Sequence, residues 1–392
     1  MRQYALITGS YWAFTLTDGA LRMLVVLYFH ELGYSPLDIA LLFLFYEIFG
    51  VVTNLFGGWI AARTGLAATL IGGLWLQVVA LAMLLVDASM LTIAYVMAAQ
   101  ALSGIAKDLN KMSAKSSVKL LVGNSEGRLY RWVAWLTGSK NALKGLGFFA
   151  GGASLSAFGF SASIAGMALG LSVIAAATLV FLDREMGKAS FKPKFSNLWS
   201  KSPPINMLSA ARLFLFGSRD VWFVVALPVF LQLEQGWSSI SVGPFLAAWI
   251  IGYGLIQALA PNITGISNDH PPDGRTALFW SLGLTAVPAM LAFAVNMQAA
   301  ASAALVIGLI LFGLIFAMNS AVHSFLIVSY ADADGISLDV GFYYMANAAG
   351  RLLGTICSGW VYQAYGISAC LAVSSLFLIA ATAISAQLPK RE

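Results

Sequence analysis

Long apolar runs separated by short polar ones make up this chain from end to end. Cutting at the polar breaks gives twelve apolar segments, at residues 4–29, 38–62, 66–86, 90–111, 129–156, 161–182, 206–231, 241–262, 276–295, 300–326, 340–363 and 367–387. Each reaches the ~20 residues that an α-helix needs to cross a hydrocarbon core of about 30 Å. Backbone N–H and C=O groups in lipid must pair within their own segment, so runs of this length predict helices. The expected fold is an all-α membrane protein with twelve transmembrane helices.

The longest polar connection, DREMGKASFKPKFSNLWSKSPP from Asp183 to Pro204, follows the sixth run. It predicts an N-terminal six-helix bundle at 1–182, a cytoplasmic linker at 183–205 and a C-terminal six-helix bundle at 206–392. An internal repeat supports the division. KGLGFFAGGASLSAFG, from Lys144, aligns with RLLGTICSGWVYQAYG, from Arg351, matching Lys144 with Arg351, Gly147 with Gly354, Gly152 with Gly359 and Gly159 with Gly366. The first and seventh runs agree more loosely, Phe14 to Asp18 facing Phe216 to Asp220. Two pseudo-symmetric halves are how parallel-repeat transporters are built, with the substrate site near the membrane midplane at the interface of the repeats.

Composition narrows the class further. Of 392 residues 59% are hydrophobic and only 10% charged, which excludes an ordinary soluble domain. A net charge of +5 on a soluble chain would suggest nucleic acid, but here the basic residues follow topology. With Met1 inside, the outer connections carry no Lys or Arg, while the inner ones hold Arg63, then Lys115, Lys119, Arg128 and Arg131, then Arg184, Lys188, Lys192, Lys194 and Lys201, then Arg275, and finally Lys390 and Arg391. The positive-inside rule therefore predicts both termini in the cytoplasm, membrane lipid as the surroundings and no nucleic-acid partner. The first run carries Asp18 and Arg22 and has no small-residue cleavage site, so it is expected to remain as a helix. The bacterial cytoplasmic (inner) membrane and a monomer are the expected setting. Cys357 and Cys370 lack CxxC spacing and predict neither a disulfide nor a metal site. No HExxH, Walker glycine loop or metal cluster is present, so neither an enzyme nor a cofactor is expected.

Ionisable residues within apolar runs are costly and mark function by default. At ~1.5 Å per residue, Asp18, Arg22, Lys140, Lys144, Arg219, Asp220 and Arg351 fall toward the middle of their runs. Arg22, Lys140, Lys144, Arg219 and Arg351, with Lys107, are the candidate substrate ligands. Arg offers a planar fork matched to oxyanions and Lys a point charge, so the expected substrate is a small anion. Internal pairing is the competing reading. Asp18 and Arg22 stand at i, i+4, and Asp220 can pair with Arg212 or Arg219, which leaves these carboxylates with either charge pairing or proton coupling. Lys140, Lys144 and Arg351 have no carboxylate within their own runs, although Glu47 is a possible partner. The stretch KDLNKMSAKSSVK places Lys107, Lys111, Lys115 and Lys119 on one helical stripe about 18 Å long. Lys107 is expected in the membrane and Lys115 and Lys119 in the cytoplasm, as an inward ramp that steers anions or as plain topological anchors. Tyr343, Tyr344, Asn347 and Asn141 could donate to a ligand, although helix-to-helix hydrogen bonds are the more frequent use of such residues, and His323 is more often a packing histidine than a ligand or proton relay.

Twelve runs in two halves, with GGWIAARTG after the second, resemble the major facilitator superfamily. That motif here has Ala62 at its usual Asp position and Leu66 and Ala67 where basic residues usually follow. The segment from Tyr11 to Trp59, YWAFTLTDGALRMLVVLYFHELGYSPLDIALLFLFYEIFGVVTNLFGGW, together with KDLNKMSAKSSVK, is similar to the ArsJ-type organoarsenical efflux permeases. The resemblance implies export of 1-arseno-3-phosphoglycerate, supplied by a partner glyceraldehyde-3-phosphate dehydrogenase that uses arsenate. A pentavalent arsenic oxyanion presents hard oxygens suited to Arg and Lys, and two separated cysteines fit it better than a thiophilic trivalent cargo. An organophosphate or phosphate exchanger is the alternative within transport. A transporter-like sensor is the alternative outside it, and is expected to carry a signalling extension that the tail LPKRE does not supply.

Overall fold

Apolar sequence becomes helix throughout the computed structural model, which describes residues 2–390 except 35, 123–124, 192, 199–201, 238, 265–270 and 298–300. The helices are α1 (Arg2–Glu31), α2 (Pro36–Leu42), α3 (Leu44–Thr64), α4 (Leu66–Met83), α5 (Ile93–Val122), α6 (Glu126–Phe181), α7 (Pro203–Phe223), α8 (Ala226–Leu233), α9 (Ser239–Ile263), α10 (Gly274–Asn296), α11 (Ala301–Tyr330) and α12 (Ile336–Ser385). Lys192, Lys201 and Arg391, counted above among the inner cations, lie outside the described residues.

Twelve crossings arise from these elements in an uneven way. Among the described residues nine helical stretches are long and apolar enough to span a bilayer. Two of them, α6 and α12, are double. Each is interrupted by one residue with non-helical backbone, Gly159 (φ 75°, ψ 175°) and Gly366 (φ 75°, ψ −174°). These glycines are the pair that the internal repeat aligns, and positive φ is why a glycine is needed there, since a Cβ would clash with the following carbonyl at a cost of roughly 1–2 kcal/mol. The remaining crossing is α5, whose lysines lower its hydropathy. It ends at Val122 instead of near 111, so the whole lysine stripe is helical.

Local chemistry explains the other breaks. The seventh apolar run splits into α7 and α8 because Pro228 has no N–H to give the Val224 carbonyl one turn back and its ring crowds that group. The freed backbone is partly satisfied from outside the run, the Ala226 amide donating to Ser358 Oγ at 3.1 Å. Pro203 and Pro204 occupy the first turn of α7, where a missing N–H costs nothing. Asp273 caps α10, accepting from the amides of Arg275 and Thr276, with the Thr276 side chain returning toward the cap amide.

The chain condenses into two units that differ from a simple cut at the 183–205 connection. One comprises Met1–Asn124, Ser139–Ser200 and Ala331–Met345, and the other Ser125–Gly138, Lys201–Tyr330 and Ala346–Glu392. The start of α12 thus belongs with the first unit and the start of α6 with the second. In the first unit, Gly58 of α3 lies so close to α12 that a Cβ there would strike the backbone of Ser337 and Gly341, and Ser337 Oγ donates to the Gly58 carbonyl at 2.8 Å. Its core gathers Leu24, Val25, Phe29, Leu74, Leu81 and Ile164. The second unit is built around an aromatic column in which Trp222 meets Phe312 edge-on at 5.3 Å and Phe312 stacks on Phe316 at 5.5 Å.

Candidate functional site

In each unit a carboxylate on the first long helix holds a cation from the limb that precedes a glycine kink. In the first unit α1 meets α6 through glycine: a Cβ on Gly19 would lie 2.6 Å from the Lys144 carbonyl, and one on Gly147 would lie 2.6 Å from the Leu16 carbonyl. This approach brings Asp18 Oδ2 to 3.7 Å from Lys144 Nζ, while Tyr46 of α3 donates its hydroxyl to Asp18 Oδ1 at 2.7 Å. In the second unit α7 meets α12 in the same way, a Cβ on Gly354 falling 2.6 Å from the Gly217 carbonyl. There Asp220 Oδ2 accepts from Arg351 Nε at 3.0 Å and Asp220 Oδ1 receives Arg219 at 2.5 Å. The residues that the repeat aligned, Asp18 with Asp220 and Lys144 with Arg351, thus form matching ion pairs.

This geometry corrects several expectations. Asp18 does not pair with Arg22 one turn along. Arg22 turns to Glu47, 3.3 Å away, and lies over the rings of Phe43 and Tyr46. Lys144 and Arg351, which have no carboxylate within their own runs, reach Asp18 and Asp220 on neighbouring helices, while Glu47, the partner considered from sequence, takes Arg22. Sequence distance concealed both pairs, because i, i+4 spacing on one helix is visible in a string and a close helix crossing is not. Arg212 goes to neither carboxylate. It is 3% exposed, donates from Nε to Asn347 Oδ1 at 2.9 Å and from Nη1 to Ser320 Oγ at 3.1 Å, and covers the Phe216 ring at 3.9 Å. Gln257 adds a donor to the same Ser320 hydroxyl. Asn347 was among the polar positions named from sequence, whereas Ser320 and Gln257 were the part of this centre that sequence reading missed. A polar residue at every third or fourth place along the buried face of α11, Asn319, Ser320, His323 and Ser324, was the available signal. His323 is wholly buried there, with no hydrogen-bond partner on either ring nitrogen among the described residues.

The lysine stripe is also arranged differently from an open ramp. Asp108 receives Lys107 at 3.7 Å and Lys111 at 2.5 Å, and Gly50 of α3 leaves room for that carboxylate. Lys107 stands over the Tyr46 ring at 3.7 Å; Lys111 and Lys115 stand over Tyr344 at 4.6 and 5.1 Å. Lys115, expected in the cytoplasm, is 3% exposed, because the beginning of α12 covers it. Lys119 donates to the Ala331 carbonyl in the connection before α12. Lys140 stands one turn before Lys144 on α6, half-buried.

Among the described residues two carboxylates each receive two cations, whereas Asp18 holds Lys144 one to one. Arg219 and Arg351 share Asp220, Lys107 and Lys111 share Asp108, Arg212 meets Asn347 and Lys115 meets the Tyr344 ring. A buried charge is tolerated only when paired or hydrogen-bonded, so Asp108 and Asp220 each keep two cations in place. Among the described residues no group of three or more His, Cys, Asp or Glu side chains is placed to hold a metal ion, and both cysteines are free thiols.

Comparison with known proteins places this architecture. The Major Facilitator Superfamily profile matches residues 7–272. The human organic anion transporter superposes with a TM-score of 0.77 at 16% identity, covering 98% of this chain and 100% of that one. A bacterial homologue of the iron transporter ferroportin, solved in an outward-facing state, gives 0.75 at 12% identity with 99% of both chains covered. The fucose:proton symporter of E. coli gives 0.73 at 12% identity, covering 100% and 99%. No curated protein matches the sequence.

Proposed function

The chain belongs to the Major Facilitator Superfamily, integral membrane carriers of small molecules, and from that premise we propose that it exports a small organic oxyanion by alternating access. The substrate we propose is 1-arseno-3-phosphoglycerate, so that the protein confers arsenate resistance. One observation carries the reading: in each half two cations converge on one buried carboxylate, Lys107 and Lys111 on Asp108 and Arg219 and Arg351 on Asp220. Guanidinium forks at Arg219 and Arg351 suit tetrahedral oxyanions, and the point charges of Lys140, Lys144 and Lys107 tolerate varied geometry around a second anionic group. The similarity to ArsJ-type permeases from Tyr11 to Trp59 supplies the particular substrate, and a cytoplasmic glyceraldehyde-3-phosphate dehydrogenase is its source. The protein then sits in a bacterial cytoplasmic membrane with both termini inside.

Energetics favour simple efflux. A cell interior is negative, and each negative charge moved outward is favoured by about 2.3 kcal/mol per 100 mV. A multiply charged anion is driven out without a coupled proton, which leaves Asp18 and Asp220 the task of holding Lys144, Arg219 and Arg351. The test uses inside-out vesicles in which glyceraldehyde-3-phosphate dehydrogenase makes the substrate from arsenate. Uptake that follows imposed voltage, ignores an imposed pH gradient and is lost in Lys144→Gln and Arg351→Gln supports the reading. Full transport in both variants would sink the site assignment. Proton movement stoichiometric with substrate and abolished by Asp18→Asn would replace uniport by antiport, and exchange driven by phosphate on the opposite side would favour an organophosphate exchanger.

A further inference from the structure

A stretch of polar chain lies across the junction of α3 with the start of α12. Within the first unit the connection after α6 turns back onto the α3–α4 turn, the Leu66 amide donating to the Met186 carbonyl and the Ala189 amide to the Ala62 carbonyl, each at 2.9 Å. The second unit has a similar return: the Gly274 amide at the start of α10 donates to the Pro389 carbonyl at 3.0 Å. In the first unit the chain then continues across to α12. Ser190 donates its amide at 2.9 Å, and its hydroxyl as well, to the carboxylate of Asp334. Phe191 covers Gly335, where a Cβ would lie 3.2 Å from its ring. Beyond them Trp59 of α3 donates its ring N–H to the Pro193 carbonyl at 3.2 Å, and Phe195 packs on Phe56 and Trp59 with centroids 5.9 and 6.3 Å apart.

This stretch grips its two neighbours unequally. On α3 and the α3–α4 turn it is held at Met186, Ala189, Pro193 and Phe195, on both sides of Ser190. On the α12 side the polar hold is Asp334, an exposed carboxylate for which water competes. The junction beneath is narrow. Gly58 and Gly341 bring the two backbones together, and Ser337 adds its hydrogen bond to the Gly58 carbonyl. α12 begins in the first unit and passes into the second at Ala346. Its start therefore leaves α3 only if the Ser190 contact with Asp334 opens, because the connection itself stays on α3.

We propose that the connection after α6 is a clasp on the inner gate of the carrier. In the proposed topology the α3–α4 turn and the connection before α12 lie on the cytoplasmic face, and alternating access parts α3 from α12 each time that face opens. The clasp remains seated on α3, and its grip on Asp334 sets how often the gate opens. The inference rests on the alternating-access reading and not on the identity of the substrate.

The experiment puts Ser337→Cys, at a position 1% exposed within the junction, into the purified full chain carrying Cys357→Ala and Cys370→Ala, and follows maleimide labelling. A contact made only in the closed state shifts the equilibrium by its net worth, so Ser190→Ala and Asp334→Ala should each speed labelling about threefold to tenfold. Glu185→Ala, on the same connection but paired with Lys188, should leave the rate unchanged. Unchanged labelling in both clasp variants, or equal acceleration in Glu185→Ala, overturns the proposal. A second arm joins Ser190→Cys to Asp334→Cys by a disulfide in the background without native cysteines and measures uptake in the vesicle assay described above. Oxidation should stop uptake and dithiothreitol should restore it. Uptake that persists in the oxidised protein overturns the clasp even where labelling responds, because the contact is then a local brace. If wild-type vesicles take up no substrate, the anion reading fails and the labelling arm still decides the clasp.

Discussion

Replacing Asp220 by Asn keeps the side-chain shape and removes the charge that Arg219 and Arg351 share. Asp220 is 0% exposed, with Arg219 at 2.5 Å and Arg351 at 3.0 Å. Removing one partner of a buried pair costs about 3–5 kcal/mol, and the Arg219 side chain, 15% exposed, belongs in that class. Arg351 is 32% exposed and is partly screened, so its share is nearer the ~0.5–1 kcal/mol of a surface pair. The expected loss is thus about 4 kcal/mol, a fall of about 5 °C in melting midpoint for a chain of this size. Cys370 is buried and free while Cys357 is partly exposed, so in a Cys357→Ala background a thiol-reactive dye reports the transition. Two further results follow from the same reasoning. Asp220→Asn combined with Arg219→Gln should melt higher than Asp220→Asn alone, because the uncompensated charge is gone. Inorganic phosphate should raise the midpoint of Asp220→Asn more than that of the wild type, because an anion then takes the place of the carboxylate. A single variant that melts within 1 °C of the wild type, measured to a precision of about that size, would refute the claim that this carboxylate carries the two arginines.

Gly159→Ala and Gly366→Ala should each lower stability by about 1–2 kcal/mol through backbone strain at positive φ, although a Cβ at either position touches nothing within 4 Å. Gly152→Ala, whose Cβ would make ordinary contact with Leu27, should lie within ~0.5 kcal/mol of wild type in the same melting assay. In the connection before α12, the Ser190 hydroxyl and amide donate to Asp334 and hold its carboxyl below the usual range. That contact is fully formed above the ordinary carboxylate pKa near 4 and is lost as pH falls through the lowered folded value. Hydrogen exchange at the Ser190 amide should therefore gain no extra acceleration between pH 7 and 5, beyond the intrinsic rate, and should lose protection only below about pH 4. Loss of protection already at pH 6 would contradict the assignment.

Much of the fold could be read from sequence because lipid imposes one rule on every span. The boundaries near Thr64, Ile263 and Asn296 fall where polar residues interrupt the apolar pattern. The kinks at Gly159 and Gly366 were marked by the repeat that aligned them. The split of α7 from α8 was less visible, because Pro228 lies within an unbroken apolar run and hydropathy is blind to a missing N–H. The cations of the candidate site were evident from their cost in a membrane, yet their partners were not. Which carboxylate Lys144 or Arg351 reaches depends on how closely two helices approach, and that is set by Gly147 and Gly354 on faces that composition does not order. The burial of Lys115 was hidden for a related reason: topology counts a cation by distance along its own helix, whereas a ring from the start of α12, Tyr344, covers its ammonium.

The matched pairs Asp18 with Lys144 and Asp220 with Arg351 have a consequence for how the chain is made. In both halves the carboxylate is synthesised more than a hundred residues before its cation. A lysine or arginine entering the middle of a bilayer costs about 2.5–3.5 kcal/mol when it enters alone. Here the helix bearing each cation is inserted after the helix that offers it a carboxylate and a glycine-lined seat. The order of translation thus supplies the counter-charge before it is needed, and it does so separately in each half.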